Sequence, residues 1–171
     1  MQKIQATYFD KTSDEDPERI TDQTLRLAKK RGDELGIKNF VLASSTGFVA
    51  TKASVFLTDK SLVFVGETRD WYDKDFLKDL ESRKIPVIFS HEVKYNYPAD
   101  VQTAYRRMSE GAKVCPEIVM LASDMGLVPI GAETIAIAGT GSGADTAMVI
   151  ASAKSRNFKE LKIREILCKP R

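Results

Sequence analysis

The fold is decided by residues 134–146, which read TIAIAGTGSGADT. Residues 134–138 form an apolar run that predicts a buried strand, and a glycine-rich loop follows at 139–143. Residues 139–144 match G-x-G-x-x-G/A, but the loop leads into residues 147–150, which look like a strand, and few residues remain after them. This context excludes a Rossmann dinucleotide site. A glycine loop after a buried strand still allows a ligand to approach the backbone closely, and a plain wide turn is the alternative.

Residues 40–47 repeat this arrangement earlier in the chain. The apolar run Phe40-Val41-Leu42-Ala43 predicts a buried strand, Ser44-Ser45-Thr46-Gly47 predicts a polar loop, and a helix is expected over residues 48–57. Ligands of open α/β sheets bind beyond the carboxyl ends of strands, where helix N-termini offer free N–H groups and a positive dipole end. The loop is therefore a candidate anion site, and simple helix capping by Ser or Thr is the alternative reading.

The rest of the chain alternates between strand and helix patterns, which predicts a single α/β domain over residues 1–171. We expect three layers, with helices on both faces of a mainly parallel sheet and an antiparallel edge strand at the C-terminus. The further predicted strands are residues 4–9, 62–65, 86–89, 147–150 and 161–167. Four further helices are predicted. The first starts at Pro17, after a cap at Asp16, and ends at Gly36, and the second spans residues 73–83. The third starts at Pro98 and has an apolar stripe to Ala112, and the fourth runs from Pro116 to Met125 with Gly126 as its terminator.

Composition excludes several functional classes. The chain has 171 residues, 43% of them hydrophobic, and a formal net charge of +2. This balance argues against nucleic acid and against an anionic membrane as partners. No apolar run approaches the roughly 20 residues of a membrane span, and the first residues lack a signal-peptide core, so we expect a cytoplasmic protein. Cys115 and Cys168 form neither a metal-ligand spacing nor a redox pair; two free thiols are expected, and one disulfide is the alternative.

Other candidates carry less weight. His91 is the only histidine, and we expect it at a strand end rather than in a catalytic triad. Glu117 and Asp124 could form a carboxylate pair on one helix face, although an ordinary first-turn Glu and a surface Asp explain them more simply. The basic run at 29–31 is expected on a solvated helix face. Trp71 and Tyr72 are expected to close a core edge rather than to stack on a ligand. No metal site and no catalytic residue are predicted.

Three segments resemble a family of small archaeal and bacterial proteins that have the fold of the pyruvate kinase C-terminal domain. These segments are GIKNFVLASSTG at 36–47, AIAGTGSGADTA at 136–147 and the C-terminal stretch NFKELKIREILCKPR at 157–171. The helix at 117–126 is also similar. The likeness covers most of the chain, and residues 143–146 are its most specific part.

The resemblance implies a flavin mononucleotide (FMN) site, in a family with no established reaction. In pyruvate kinase itself the equivalent two loops hold a phosphorylated sugar, and its domains pack against one another, which implies a homo-oligomer. The sequence departs from the family pattern after Phe9, where the acidic stretch 10–16 replaces an Asn-Lys-Pro-Gly-like turn, and over residues 67–97, which are shorter than usual.

Three functions compete: an FMN-binding protein that acts as an oxidoreductase on an unknown substrate, a non-enzymatic regulatory or sensor module for a phosphorylated metabolite, and a structural partner of a larger enzyme. The first is preferred. We expect the phosphate at 44–47 and the rest of the ligand against the glycine loop, with Asp145 fixing that loop rather than touching phosphate. The predicted ligand-binding residues are Ser44, Ser45, Thr46, Gly47, Gly139, Thr140, Gly141, Ser142, Gly143 and Thr146.

Overall fold

The computed structural model describes residues 5–171 and contains one seven-stranded sheet. The strands are β1 (Thr7–Phe9), β2 (Asn39–Ala43), β3 (Ser61–Gly66), β4 (Val87–Phe89), β5 (Glu133–Ala138), β6 (Thr146–Ala151) and β7 (Lys162–Pro170). The helices are α1 (Pro17–Leu35), α2 (Phe48–Phe56), α3 (Lys74–Ser82), α4 (Ala99–Arg106) and α5 (Glu110–Asp124). The alternation of strands and helices confirms the predicted α/β class. Ile4, which was expected in the first strand, lies outside the described residues.

The strand order is β1-β7-β6-β5-β2-β3-β4. All neighbouring pairs are parallel except β5 with β6 and β6 with β7, so β6 alone runs against the other six strands. The prediction of a mainly parallel sheet is confirmed. The prediction of an antiparallel C-terminal edge strand is wrong, because β7 runs in the same direction as β5 and β1 pairs in parallel with its last three residues, 168–170. In the described chain the sheet edges are the short strands β1 and β4.

Two hydrophobic clusters fill the space between the sheet and its helices, one on each face. The first joins α1, α2 and α3 to side chains such as Phe40, Leu42 and Ile137. The second joins α5 and part of α4 to Val41, Ala136 and other strand side chains that point to the opposite face of the sheet. This alternation follows from the two-residue period of a strand, and it confirms three layers with helices on both faces.

Helix termini agree with the sequence in some places and differ in others. Gly36 ends α1 in the left-handed region, at φ +68, as expected of a C-cap glycine. Asp16 is the N-cap residue of α1, but its side chain binds Arg19 Nε at 2.7 Å instead of capping the backbone. Pro116 does not begin a helix. It lies inside α5, which begins at Glu110 because the Ser109 hydroxyl caps the N–H of Ala112 at 3.0 Å.

The basic run at 29–31 lies on α1, but it is not a simple solvated face. The Arg31 side chain is only 12% exposed, and Nε and Nη2 hold both carboxylate oxygens of Glu165 on β7. This bidentate pair ties α1 to the sheet. Lys29 is paired with Asp33 and Asp59, and Lys30 is exposed.

Candidate functional site

The carboxyl ends of β2 and β5 are neighbours at the point where the strand order reverses. The chain runs outward from β2 to β3 and β4, then returns to β5 on the other side of β2. The parallel register pairs Leu42 with Ile137, one residue before each strand ends. The predicted serine loop (44–47) and the predicted glycine loop (139–146) therefore leave the sheet side by side. Such a switch point is where open α/β sheets bind ligands.

A cavity of about 660 Å³ lies at this switch point. Its rim comes from the ends of β2, β3 and β5 and from the turn after β4, and residues 110–121 of α5 form one wall. The volume is within the usual range for small-molecule sites. We call this cavity the switch-point cleft.

The serine loop is anchored at one residue and open at another. Ser44 is 2% exposed; its Oγ accepts a hydrogen bond from the N–H of Ala50 at 3.1 Å, and its carbonyl accepts one from the Tyr72 hydroxyl. Ser45 donates to Glu67 Oε1 at 3.2 Å. Thr46 is exposed. The loop is thus fixed from below while its middle faces solvent.

Gly47 is the N-cap residue of α2 and has φ +87, a left-handed conformation that favours glycine. The next residue, Phe48, begins α2, and the first N–H groups of any helix lack intrahelical partners. The positive end of the α2 dipole therefore lies beside Thr46 at the carboxyl edge of the sheet. The local geometry suits an anion.

The glycine loop is held by a buried carboxylate. Asp145 is fully buried and accepts four hydrogen bonds. The N–H and Oγ of Ser13 each donate to Oδ2 at 3.1 Å, the N–H of Thr140 donates to Oδ2 at 3.2 Å, and Thr146 Oγ1 donates to Oδ1 at 2.8 Å. The expectation that Asp145 fixes the loop through backbone and hydroxyl donors is confirmed.

The glycines of this loop make room for the chain itself. A Cβ at Gly143 would lie 2.7 Å from Ser13 Cβ, and a Cβ at Gly139 would lie 2.4 Å from the Gly143 carbonyl and 2.7 Å from Ser13 Oγ. At Gly141, φ is +66 and a Cβ would meet Asp14 Oδ1 at 2.2 Å. The acidic stretch 10–16 follows β1, and β1 runs parallel to β7. The stretch therefore leaves the sheet at the same end as the glycine loop and packs against that loop.

Six of the ten predicted ligand-binding residues line the switch-point cleft, and the other four do not. The six are Ser44, Ser45, Gly139, Gly141, Ser142 and Gly143. Thr46 and Gly47 lie beside the cleft, on the side where α2 starts. Thr146 is fully buried, and its hydroxyl serves Asp145 and contacts Ser109 Oγ at 3.3 Å. The Thr140 N–H serves Ser13 and Asp145.

The α5 wall joins Glu117 to two partners, Lys113 and Tyr95, that the sequence did not single out. Lys113 Nζ donates to Glu117 Oε2 at 2.6 Å, and the Tyr95 hydroxyl donates to Glu117 Oε1. The side chains of Lys113 and Glu117 are 11% and 12% exposed, and all three residues line the cleft. Burial, followed by the carboxylate of Glu117, raises the pKa of Tyr95 well above its usual value. We call these residues the α5 triad.

The remaining candidates have local partners. Asp124 accepts a hydrogen bond from the N–H of Ser155 at 3.1 Å, while Glu117 belongs to the α5 triad, so the two carboxylates do not serve as a pair. The helical spacing of seven residues is the only signal that pointed to Glu117. Arg106 Nε binds Glu110 at 2.9 Å on the same wall. His91 follows the end of β4, as expected, and lines the cleft.

Tyr72 is buried with its ring edge-on to Phe89, whereas Trp71 is 53% exposed, so only Tyr72 closes a core edge as expected. Cys115 and Cys168 are buried free thiols, as predicted, and burial raises the pKa of each.

Within residues 5–171, no three His, Cys, Asp or Glu side chains are grouped so as to hold a metal ion. The described chain has no helix that is both long and apolar enough to cross a membrane. No known protein-family model matches the sequence.

Proposed function

We propose that the switch-point cleft binds a small phosphorylated ligand and that FMN is the first candidate. The observation that carries the proposal is that the serine loop and the glycine loop, distant in sequence, wall one cleft at the reversal point of the sheet. The N-terminus of α2 would receive the phosphate. Ser44 Oγ already caps the N–H of Ala50, but the N–H groups of Phe48 and Val49 lack intrahelical partners, and the helix dipole favours an anion there.

Two further features support a flavin. Four apolar side chains line part of the cleft, Val65 on β3 and Val114, Ile118 and Leu121 on the α5 wall. We call them the apolar floor, and a flat ring system would cover it. The resemblance to the pyruvate kinase C-terminal domain-like family also implies FMN. In an FMN protein the cofactor would supply the redox chemistry, and this chain would bind and orient it.

A non-enzymatic regulatory module for a phosphorylated metabolite is the second candidate. One observation favours it: the charged groups of the α5 wall are paired with one another, Arg106 with Glu110 and Lys113 with Glu117. Groups held in this way bind and position a ligand more readily than they exchange protons with it.

The experiment is to identify whatever small molecule accompanies the purified protein, by absorbance and mass spectrometry, and then to titrate the ligand-free protein. A yellow protein that releases FMN, and that binds FMN more tightly than riboflavin, supports the first candidate. A colourless protein that sugar phosphates stabilise against heat supports the second. Failure of every phosphorylated ligand to bind would contradict both.

Thr46→Ala tests the phosphate position. The hydroxyl is exposed beside the α2 N-terminus, so its loss should weaken FMN binding by about 1 kcal/mol and leave riboflavin binding unchanged. Thr58→Ala, an exposed threonine beyond the other end of α2, is the matched control and should bind both ligands as the wild type does. Equal affinity for FMN in both variants would contradict the phosphate position.

Self-association is a separate proposal that rests on the resemblance. β1 pairs with residues 168–170 at the end of β7, and in the described chain residues 162–167 of β7 have no strand partner on that side. Light scattering at high protein concentration tests it, and a monomer would contradict it.

A further inference from the structure

The α5 triad is a buried polar group in a place where apolar side chains would serve the fold at least as well. Lys113 and Glu117 lie on a helix whose neighbouring positions, such as Ile118 and Leu121, are apolar and buried. Burying an ion pair costs desolvation free energy, and well-packed apolar replacements are often neutral or stabilising. A buried ion pair that borders a cleft is therefore a candidate for ligand recognition.

The charges of the triad decide what it can recognise. Lys113 and Glu117 neutralise each other, and Tyr95 is an uncharged phenol at neutral pH that donates its proton to Glu117. The neighbouring Arg106–Glu110 pair is neutral as well. A second phosphate or a carboxylate would find no net positive charge here, whereas a neutral group with hydrogen-bond donors and acceptors would find both.

Lys113 has donors to offer. An ammonium group carries three N–H donors, and Glu117 takes one of them at 2.6 Å. Glu117, in contrast, is fixed through both oxygens, by Lys113 on one side and Tyr95 on the other. The triad therefore presents an oriented set of polar atoms to the cleft rather than mobile side chains.

The cleft thus joins an apolar floor to the neutral polar group of the α5 triad. The α2 N-terminus, which favours an anion, lies beside the cleft, next to Thr46. We infer that the α5 triad recognises the polar edge of a heteroaromatic ring, of the amide or imide type, whose flat face covers the apolar floor. This inference rests on the proposed function and assigns the ring end of the ligand. A sugar phosphate, which lacks a flat ring, would leave the apolar floor uncovered.

The test separates the ring from the phosphate by measuring the affinities of FMN and riboflavin side by side. Tyr95→Phe and the double variant Lys113→Met/Glu117→Leu should each lower both affinities, the double variant by about tenfold, and leave their ratio unchanged. Thr46→Ala should lower only the FMN affinity. The double variant replaces an ion pair by apolar side chains of similar size, so it should remain folded, and thermal unfolding verifies this.

Lys30→Met and Tyr8→Phe, on exposed residues away from the cleft, are the matched controls and should bind both flavins normally. The absorption band of the bound flavin is a second readout, because polar contacts at the ring edge shift it and a purely structural role of the triad would not. The triad variants should show this shift in spectrum.

Three outcomes are informative. Parallel loss of both affinities with an altered spectrum supports the inference. Folded triad variants that bind both flavins with wild-type affinity and spectrum overturn the inference and leave the proposed function standing. A wild-type protein that binds neither flavin overturns the FMN proposal and the ring assignment together, and this result is recognised because it appears before any substitution is made.

Discussion

The serine loop and the glycine loop leave neighbouring strands at the same edge of the sheet, yet the protein treats them in opposite ways. The glycine loop is filled from within: Ser13 and Asp145 occupy the space that its glycines leave free. The serine loop is fixed through Ser44 and through one exposed hydrogen bond from Ser45 to Glu67, and Thr46 remains exposed beside a helix N-terminus.

The comparison shows that glycine content alone does not identify a ligand contact. A missing side chain permits a close approach, but the approaching group can be the protein's own backbone. In this molecule the interior of the glycine loop is structural, and its exposed tip at Gly141 and Ser142 is what remains available to the cleft. The serine loop offers more of the groups that an anion requires.

The largest effect is expected from Asp145→Asn. The isosteric amide keeps one oxygen for the three donors at Oδ2, but its N–H₂ group replaces the acceptor at Oδ1, so the Thr146 hydroxyl must change from donor to acceptor. The negative charge that strengthens all four hydrogen bonds is lost. We expect the free energy of unfolding to fall by about 3 kcal/mol. Urea denaturation measures the loss, with Asp70→Asn on an exposed turn as the control. A loss below that of a typical surface substitution would show that the carboxylate does not hold the loop.

Gly143→Ala should cause the next largest loss in the free energy of unfolding, about 2 kcal/mol, because the new methyl group would overlap with Ser13 and Thr21. Gly131→Ala is the control for backbone strain: φ is +79 and nothing lies within 4 Å, so only the left-handed conformation contributes, at about 1 kcal/mol.

Gly47→Ala should lower the free energy of unfolding by about as much as Gly131→Ala. At Gly47 φ is +87, and an added Cβ would lie at an ordinary contact distance of 3.6 Å from Tyr72. Equal losses for Gly143→Ala and Gly47→Ala would remove the contrast between the two loops. Gly141→Val is a poor test of ligand binding, because its own clash with Asp14 perturbs the loop in the absence of any ligand.

Tyr72→Phe addresses the anchor of the serine loop. It removes the donor to the Ser44 carbonyl and should cost about 1 kcal/mol. Burial raises the pKa of Tyr72 from 10.0 to about 12. Its contribution to stability is therefore complete below pH 10 and is lost as the pH rises to about 12, because the unfolded chain ionises first.

Stability measured between pH 9 and 12 should fall more steeply in the wild type than in Tyr72→Phe. Tyr95 and Tyr97, whose pKa values burial also raises, account for part of the slope that remains. Parallel curves for the two proteins would show that the Tyr72 hydroxyl is not held in the fold.

The smallest effect is expected from Glu67→Gln. Its carboxylate accepts the Ser45 hydroxyl and would repel a phosphate bound at the serine loop. Removing this charge should strengthen FMN binding by a few-fold, about 0.5 kcal/mol, more at low salt than at high salt, and should leave riboflavin binding unchanged. Glu81→Gln on the exposed face of α3 is the control. Weaker FMN binding in Glu67→Gln would place the phosphate elsewhere.

The sequence predicted most of the sheet because buried parallel strands appear as continuous apolar runs, as at 40–43 and 134–138. It also predicted that Asp145 would fix the glycine loop, since an acidic residue beside a loop of free donors has few other roles. The sequence did not predict that β7 lies inside the sheet. The alternation of polar and apolar residues in β7 does not reveal that β1, from the opposite end of the chain, pairs with the end of that strand.

The α5 triad was missed for a related reason. Pro116 suggested a helix start, which assigned Lys113 to a different element from Glu117 and hid their spacing of four residues within one helix. Tyr95 lies on an irregular segment with no periodic pattern, so only the tertiary structure brings it to Glu117. Contacts between elements that are distant in sequence set the limit of prediction for this site.

A crystal structure of the protein with FMN soaked into the crystals would locate the ligand. We expect electron density for the phosphate at the first turn of α2 beside Thr46, and for the ring over Val65 and Ile118 with its polar edge at Lys113. Ordered FMN at another surface, or a phosphate seated elsewhere in the cleft while the α2 N-terminus carries only water, would contradict this expectation.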